Sequence, residues 1–132
     1  MPQGQGLDFA GVVERVGRGV HQYAVGDEVF GAGKDCIADF CVAKVKSIAK
    51  EPPGVSFAVA STVATVGTTA ASVFDGERIW SGSEVLVNGA TGGIGMFATQ
   101  MAVRRNAKVT AVVSDKGAAL AEGYRDKGDA TL

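Results

Sequence analysis

The sequence has few of the residues that indicate a disulfide-stabilised or nucleic-acid-binding protein. It has only two cysteines among 132 residues, which is too few for a disulfide framework. Lysine and arginine number 13 against 14 acidic residues, so there is no basic excess for nucleic acid or an anionic membrane surface. We see no secretory leader. We therefore expect a reducing, cytoplasmic location and a domain that needs no disulfide or metal for stability.

A long apolar membrane segment is also lacking. Residues 55–74 pass without a charge, but seven of these 20 residues are serine or threonine and only 12 are apolar. Hydroxyl groups at that density weaken membrane insertion, so we prefer one or two buried helices to a membrane span. Ser56 is the candidate N-cap of the first helix.

Glycine is abundant, with 19 residues, and it divides the first part of the chain into short segments. β-prone runs between glycines predict a small antiparallel or barrel-like unit, with Pro52 and Pro53 at its end. The runs are Phe9–Val16, Glu28–Phe30 and Ile37–Lys46. We accordingly divide the chain into a β unit (1–55), connecting buried helices (56–80) and a third segment (81–132).

The third segment alternates strands and helices. Glu84–Asn88 is a short apolar strand, a glycine-rich turn follows, and Lys108–Val113 is a second β-branched strand. Between them, apolar residues recur at helical spacing: Ile94, Phe97, Ala98, Met101 and Ala102. A weaker helix covers 117–127, and 129–132 resembles the start of a third strand. This order predicts a βαβ unit in a parallel sheet, and hence an α/β fold.

The glycine-rich turn reads Gly89-Ala90-Thr91-Gly92-Gly93-Ile94-Gly95. A diphosphate needs bare backbone N–H groups at a helix N-terminus, where a side chain would hold it away. The spacing assigns a tight turn to Gly89, close phosphate approach to Gly92 and helix–strand contact to Gly95, and Gly93 adds room. Because the turn lies between a strand and an amphipathic helix, it predicts dinucleotide binding; the alternative is a purely structural turn.

The residues after the second strand bear on the choice of dinucleotide. In such folds an acidic residue there binds the ribose 2′-hydroxyl of NAD. Here the strand is followed by Ser114, Asp115 and Lys116. If Ser114 holds the discriminating position, its hydroxyl and the nearby Lys116 favour NADPH. If Asp115 holds it, NAD is favoured, and Lys116 can equally be a solvated loop residue.

Together these motifs resemble the medium-chain dehydrogenase/reductase superfamily, in particular its zinc-independent quinone oxidoreductase-like (enoyl reductase-like) branch. The matching stretches keep the family's order and spacing. They are GLDFAGVVERVG (6–17), VGDEVFG (25–31), ADF (38–40), Thr69-Ala70 and VLVNGATGGIG (85–95). The resemblance implies a partial GroES-like β unit followed by the first βαβ half of a Rossmann doubly wound parallel sheet.

The resemblance also implies a reaction and a cofactor site. It implies hydride transfer from NADPH, with NADH less favoured, to a quinone, enone or enoyl substrate. It places Gly92, Gly93 and Ile94 against the pyrophosphate, Ser114 at the 2′-phosphate and Thr69 at the nicotinamide side. The alternative for Thr69 is a helix hydroxyl bonded to its own backbone.

No zinc is expected, and the catalytic residues are not identifiable. Zinc-dependent members begin the first stretch with Gly-His-Glu, whereas this chain reads Gly6-Leu7-Asp8, and leucine cannot bind zinc. The only histidine, His21, is expected in an exposed loop.

The chain matches only the middle of the family. A parallel sheet this small leaves an edge bare and faces uncovered, so we expect either a part of a longer chain or a homo-oligomer. An alternative function is a non-catalytic dinucleotide-binding or interaction module derived from the family.

Overall fold

The computed structural model describes residues 5–76 and 79–125. The chain divides into two compact units, Met1–Thr65 and Val66–Leu132, and the division lies inside the segment that we assigned to connecting helices. In chain order the strands and α helices are β1 (Asp8–Val12), β2 (Glu28–Ala32), β3 (Ile48–Lys50), α1 (Phe57–Ala60), α2 (Ala64–Gly76), β4 (Glu84–Asn88), α3 (Gly93–Arg104), β5 (Lys108–Val112) and α4 (Ala118–Arg125).

The first unit is built on an antiparallel sheet of order β1-β2-β3. Phe30 in the central strand is aligned with Ala10 on one side and Ala49 on the other. Its neighbour Gly31 has no room for a side chain, because a Cβ there would overlap the carbonyl oxygen of Ser47 and lie 2.8 Å from the Cα of Ile48. This glycine therefore allows the two backbones to approach closely.

Side chains of the first unit also fix the starts of two helices. The Ser56 hydroxyl accepts a hydrogen bond from the Val59 amide at 3.4 Å, which confirms Ser56 as the N-cap of α1. Both carboxylate oxygens of Asp8 accept from the Thr65 amide at 3.1 Å, and one also accepts from the Thr65 hydroxyl. A residue of β1 thus caps the first turn of α2 from 57 positions away.

The prediction of a strand over Ile37–Lys46 is wrong. The segment has no strand, ends in a 3₁₀ turn at Val45–Ser47, and the third strand of the sheet is Ile48–Lys50. Asp35 has a positive φ of 60°, and the amide of Ile37 then bonds to the carbonyl of Gln5 at 2.9 Å. The chain reverses there, and its β-branched side chains are exposed: Ile37 is 76% and Val42 is 92% exposed.

The second unit contains the expected βαβ arrangement. β4 and β5 pair in parallel, with Glu84 opposite Lys108 and Asn88 opposite Val112, and α3 connects them. The core is formed by Phe74, Val87, Ala90, Ala102, Val109 and Ala111. The fold class is confirmed; the predicted third strand lies outside the described residues.

The uncharged stretch 55–74 forms helices, but they are only partly buried. Its buried positions are the small or inward-facing Ala60, Ala64, Ala70 and Phe74, whereas Val59 and Val73 are more than half exposed. The expectation of buried helices was therefore too strong, because hydroxyl residues fill the other faces. Within the part of the chain that the structure describes, no helix is long and apolar enough to cross a membrane.

Candidate functional site

The parallel register places two loops at the same edge of the sheet. Asn88 ends β4 opposite Val112, which ends β5, so the glycine turn and the residues from Val113 onward leave the sheet side by side. The amides of Gly89 and Ala90 both bond to the carbonyl of Val112, at 2.9 and 3.1 Å. Carboxyl ends of parallel strands are where α/β sheets bind ligands.

Two glycines give the turn its shape. Gly89 has a φ of +75°, a conformation that side chains other than glycine rarely adopt, and its carbonyl accepts from the Gly92 amide at 2.9 Å. A Cβ on Gly95 would overlap the carbonyl oxygen of Gly89 and lie 2.9 Å from the Cα of Ala90. Gly95 therefore lets the first turn of α3 pack directly on the chain that leaves β4.

The first turn of α3 has three amides without acceptors. Gly92 is the N-cap, has no side chain to cap the helix, and accepts from the Met96 amide at 2.8 Å. The amides of Gly93, Ile94 and Gly95 precede the first intrahelical bond, and none has a hydrogen-bond acceptor among the described residues. Unpaired donors and the helix dipole together make this position suited to an anion.

These residues open onto a cleft of about 640 Å³ within the second unit. Its walls include the glycine turn, residues of β4 and three residues of α2, Val66, Val73 and Phe74. A Cβ on Gly93 would lie 3.1 Å from the Cγ1 of Val66, so Val66 closes one side of the N-terminus of α3. Asn88 contributes the only polar side chain of the described lining.

Thr69 is not among the described residues that line this cleft. It is on α2 three residues after Val66, which places it about 60° around the helix from that wall. Its side chain is exposed, and its carbonyl accepts from the Ser72 hydroxyl at 2.8 Å. Its predicted position beside a nicotinamide remains a prediction.

Ala90 and Thr91 occupy different positions in the turn. Ala90 is fully buried in the core beneath the turn, so its contribution is to packing. Thr91 faces the loop that follows β5. A Cβ built on Gly117 would lie 2.5 Å from the Thr91 Oγ1 and 3.2 Å from its Cγ2. The two loops are therefore in close contact at this pair.

Ser114 and Lys116 flank the turn that follows β5. The carbonyl of Ser114 accepts from the Gly117 amide at 2.8 Å, closing a 3₁₀ turn over Asp115–Gly117. The Ser114 side chain is exposed and makes no capping bond, and Asp115 and Lys116 are exposed as well. The structure thus brings Ser114 and Lys116 to the edge of the sheet that carries the glycine turn.

Val66 and Gly117 were not among the predicted site residues. Val66 lies in the uncharged helical stretch, and nothing in the sequence indicated that it would face Gly93. Gly117 carried a weak signal, since it is a glycine just past the predicted second strand. Its contact with Thr91 depends on the parallel register, which sequence spacing does not fix to the residue.

The titratable groups that we considered for metal binding lie in the first unit. His21 is exposed, and Cys36 and Cys41 are free thiols. Burial, and then the neighbouring Cys41, raise the pKa of the Cys36 thiol. Within the described ranges, no three His, Cys, Asp or Glu side chains are grouped so as to hold a metal ion.

Comparison with known proteins shows what the chain is similar to. The alcohol dehydrogenase GroES-like domain family matches residues 1–47. An alcohol dehydrogenase superfamily protein from Novosphingobium aromaticivorans is 31% identical with a TM-score of 0.89, over 100% of this chain and 41% of that one. The comparisons thus bear out the resemblance to the medium-chain dehydrogenase/reductase superfamily that the sequence shows.

Other similar structures include two reductases and a protein solved with NADPH. The quinone oxidoreductase from Coxiella burnetii is 27% identical with a TM-score of 0.85, over 96% of this chain and 44% of that one. The CurK enoyl reductase is 30% identical with a TM-score of 0.86, over 92% and 37%. A mycobacterial protein solved in complex with NADPH is 31% identical with a TM-score of 0.81, over 89% and 38%.

Curated relatives are much longer proteins. A highly reducing polyketide synthase of Didymella fabae is 34% identical over 112 residues, which are 84% of this chain and 6% of the relative. A mycocerosic acid synthase-like polyketide synthase of Mycobacterium tuberculosis is 37% identical over 113 residues, or 84% and 5%. The chain thus spans about one twentieth of these relatives and about two fifths of the solved structures.

Proposed function

We propose that this chain is the segment of an NADPH-dependent, zinc-independent oxidoreductase that binds the pyrophosphate of the dinucleotide. The observation that carries the proposal is the set of three acceptor-free amides, on Gly93, Ile94 and Gly95, at the edge of an open cleft. Gly92 and Gly93 carry no side chains that would hold a phosphate away. The residues present therefore fit a dinucleotide.

In this proposal different residues of the second unit contact different parts of the dinucleotide. Gly92, Gly93 and Ile94 bind the pyrophosphate through their backbone, while Gly89 and Gly95 hold the turn in shape. Ser114 and Lys116 bind the 2′-phosphate, and Thr69 lies toward the nicotinamide. When bound, the nicotinamide supplies a hydride to the acceptor. The apolar cleft walls exclude water from the bound dinucleotide.

For the acceptor we propose a quinone, enone or enoyl compound, with an enoyl thioester favoured. Solved structures similar to this chain include an enoyl reductase and a quinone oxidoreductase, and its curated relatives include reducing polyketide synthases. Their shared chemistry is the reduction of a conjugated acceptor. We propose that the chain acts as part of a longer polypeptide or a homo-oligomer, because it spans only part of each relative.

Zinc independence is part of the same proposal. Leu7 stands where zinc-dependent members carry a histidine, and its side chain is 61% exposed. The adjacent Asp8 accepts hydrogen bonds from Thr65, which gives it a structural task. Metal analysis of the purified full polypeptide should find less than a tenth of a zinc ion per chain, and a full equivalent would contradict the proposal.

A second candidate is a non-catalytic module that binds dinucleotide without turnover. It is favoured by the cleft itself, whose described lining contains no titratable side chain that could donate a proton. NADPH consumption by the full polypeptide in the presence of an enoyl thioester or a quinone separates the two. Tight binding with no consumption of NADPH would favour the module.

The test of the anion site uses a charge change at one exposed position. Ile94 is the second residue of α3 and is 45% exposed, so an aspartate there can be accommodated and suits the helix dipole. Its carboxylate would nevertheless repel a diphosphate. At about 5 Å and an effective dielectric constant near 20, this costs about 3 kcal/mol, or about a hundredfold in Kd.

We therefore expect Ile94→Asp to fold normally and to weaken NADPH binding by tenfold or more in calorimetric titrations of the full polypeptide. The matched control is Ile94→Asn, which has the same shape without the charge and should bind within threefold of the wild type. Equal affinity of the two variants, or no binding of NADPH or NADH by the folded wild type, would overturn the proposal.

A further inference from the structure

Resting on the proposed dinucleotide site, we infer that Gly117 is a positioning residue for the choice between NADPH and NADH. Through its contact with Thr91, it sets the distance between the pyrophosphate-binding turn and the residues proposed for the 2′-phosphate. Thr91 belongs to the glycine-rich turn, but its contact with Gly117 is not evident from the sequence. The inference starts from the geometry of the two loops.

The contact is closer than a side chain at residue 117 would allow. A Cβ on Gly117 would lie 2.5 Å from the Oγ1, 3.2 Å from the Cγ2 and 3.3 Å from the Cβ of Thr91. Real Cβ atoms do not approach other heavy atoms to 2.5 Å, so either Thr91 or the loop must move. The bare Cα of Gly117 is what lets the loop lie against the glycine turn.

Each partner is rigidly attached to one half of the proposed site. Thr91 lies two residues before the first acceptor-free amide, in a turn fixed by the bonds of Gly89 and Ala90 to the Val112 carbonyl. Gly117 donates to the Ser114 carbonyl at 2.8 Å and directly follows Lys116. A displacement of Gly117 is therefore passed to both residues that would read the 2′-phosphate.

The backbone at Gly117 imposes no other demand for glycine. Its φ is not in the left-handed region, and it ends a 3₁₀ turn that alanine can adopt. The effect of alanine at this position therefore comes from Thr91. The chain also supplies a matched control, Gly123 in α4, where a Cβ would meet no atom of the described residues within 4 Å.

Displacement of Gly117 should affect the binding of NADPH and not that of NADH, because NADH lacks the 2′-phosphate. Hydrogen bonds to a charged group depend strongly on distance and geometry, and losing one weakens binding by about tenfold. Moving Ser114 and Lys116 away from the glycine turn should weaken NADPH binding and leave NADH binding almost unchanged. A general loss of folding would weaken both dinucleotides alike.

The experiment measures the Kd of NADPH and of NADH for the full polypeptide and four variants: Gly117→Ala, Thr91→Ala, the double variant and Gly123→Ala. We expect Gly117→Ala to raise the Kd of NADPH about tenfold and to change the Kd of NADH by less than twofold. Gly123→Ala should have the Kd values of the wild type for both dinucleotides. In the double variant the Thr91 hydroxyl and methyl are gone, so NADPH affinity should return to within threefold of Thr91→Ala alone.

Other outcomes overturn the inference. An unchanged ratio of the two affinities in Gly117→Ala would show that Thr91 simply rotates away, and a loss that Thr91→Ala does not rescue would show a structural effect. A wild type that binds both dinucleotides without preference would overturn this inference while leaving the proposed site intact. A folded wild type that binds neither would overturn the proposed function itself.

Discussion

Both units use glycine for close backbone packing, but among the described residues the amides next to Gly31 lie in paired strands, whereas those at the start of α3 have no acceptor. Gly31 in the central strand and Gly95 in α3 each have a backbone carbonyl oxygen where a Cβ would be. In the first unit the amides around Gly31 are consumed by the strand ladders on both sides. In the second unit the close contact at Gly95 ends in three amides without acceptors.

This difference shows why glycine content by itself did not identify a binding site. A glycine between paired strands serves the packing of the fold, whereas a glycine at a helix start also determines what can reach the free amides. The following predictions, in order of decreasing effect, test whether the two uses can be separated.

The largest effect is expected from adding a methyl group where a backbone oxygen already lies. Gly95→Ala and Gly31→Ala should each lower the free energy of unfolding by about 3 kcal/mol, because backbone rather than a flexible side chain must shift. Chemical denaturation measures both. The control Gly123→Ala has open space and should be neutral or stabilising by up to about 1 kcal/mol. Equal stability of all three variants would remove the packing argument.

The second-largest loss of stability is expected from removing the cap that β1 provides for α2. Asp8→Ala removes the acceptor for the Thr65 amide and hydroxyl and should cost about 1–2 kcal/mol in thermal or chemical unfolding. Asp8→Asn keeps a carbonyl acceptor and should lose less. If the two variants were equally stable, the hydrogen bonds of Asp8 would not be the stabilising feature.

The smallest expected effects are on the pH dependence of stability, where two carboxylates of the first unit act in opposite directions. The hydrogen bond from the Ala24 amide, followed by that from Lys50, lowers the pKa of Asp27, whereas burial and then the charge of Glu28 raise the pKa of Glu51. Ionised Asp27 therefore stabilises the fold above its unfolded pKa, and this stabilisation is lost as the pH falls through the folded value. Glu51 stabilises the fold only at low pH, and its contribution is lost as the pH rises through the folded value.

The variants should show these signs in unfolding experiments between about pH 3 and pH 7. Asp27→Asn should be less stable than the wild type at pH 7, with the difference vanishing in acid. Glu51→Gln should be more stable at pH 7, with no gain in acid. The same sign for both variants at pH 7 would contradict the opposite environments of the two carboxylates.

Sequence reasoning predicted the second unit better than the first. The bounds of β4 were predicted correctly and those of β5 to within one residue, because a short apolar strand, a glycine turn and an amphipathic helix are all local signals. The strand over Ile37–Lys46 failed because β propensity does not determine which segment finds a partner: β2 pairs with Ile48–Lys50 instead.

The residues of the candidate site also fall into two groups, those that a local sequence pattern indicated and those that it did not. The glycines and Ile94 could be proposed from the sequence because a glycine turn between a strand and a helix leaves a local pattern. Val66 and Gly117 were missed because their tasks come from contacts across the fold, with Gly93 in one case and Thr91 in the other. A contact between two loops that parallel strand pairing brings together has no local sequence pattern. It therefore cannot be predicted from the spacing of residues along the chain.

The hydrogen bonds between Asp8 and Thr65 bear on how this protein can be divided for study. The helix that begins at Ala64 runs on to Gly76 and contributes Phe74 to the core of the second unit, yet its first turn is capped by β1 of the first. Cutting the gene at residue 66 would remove the start of this helix together with its cap. A fragment meant to carry the second unit should retain residues 5–65 or supply a new capping residue in their place.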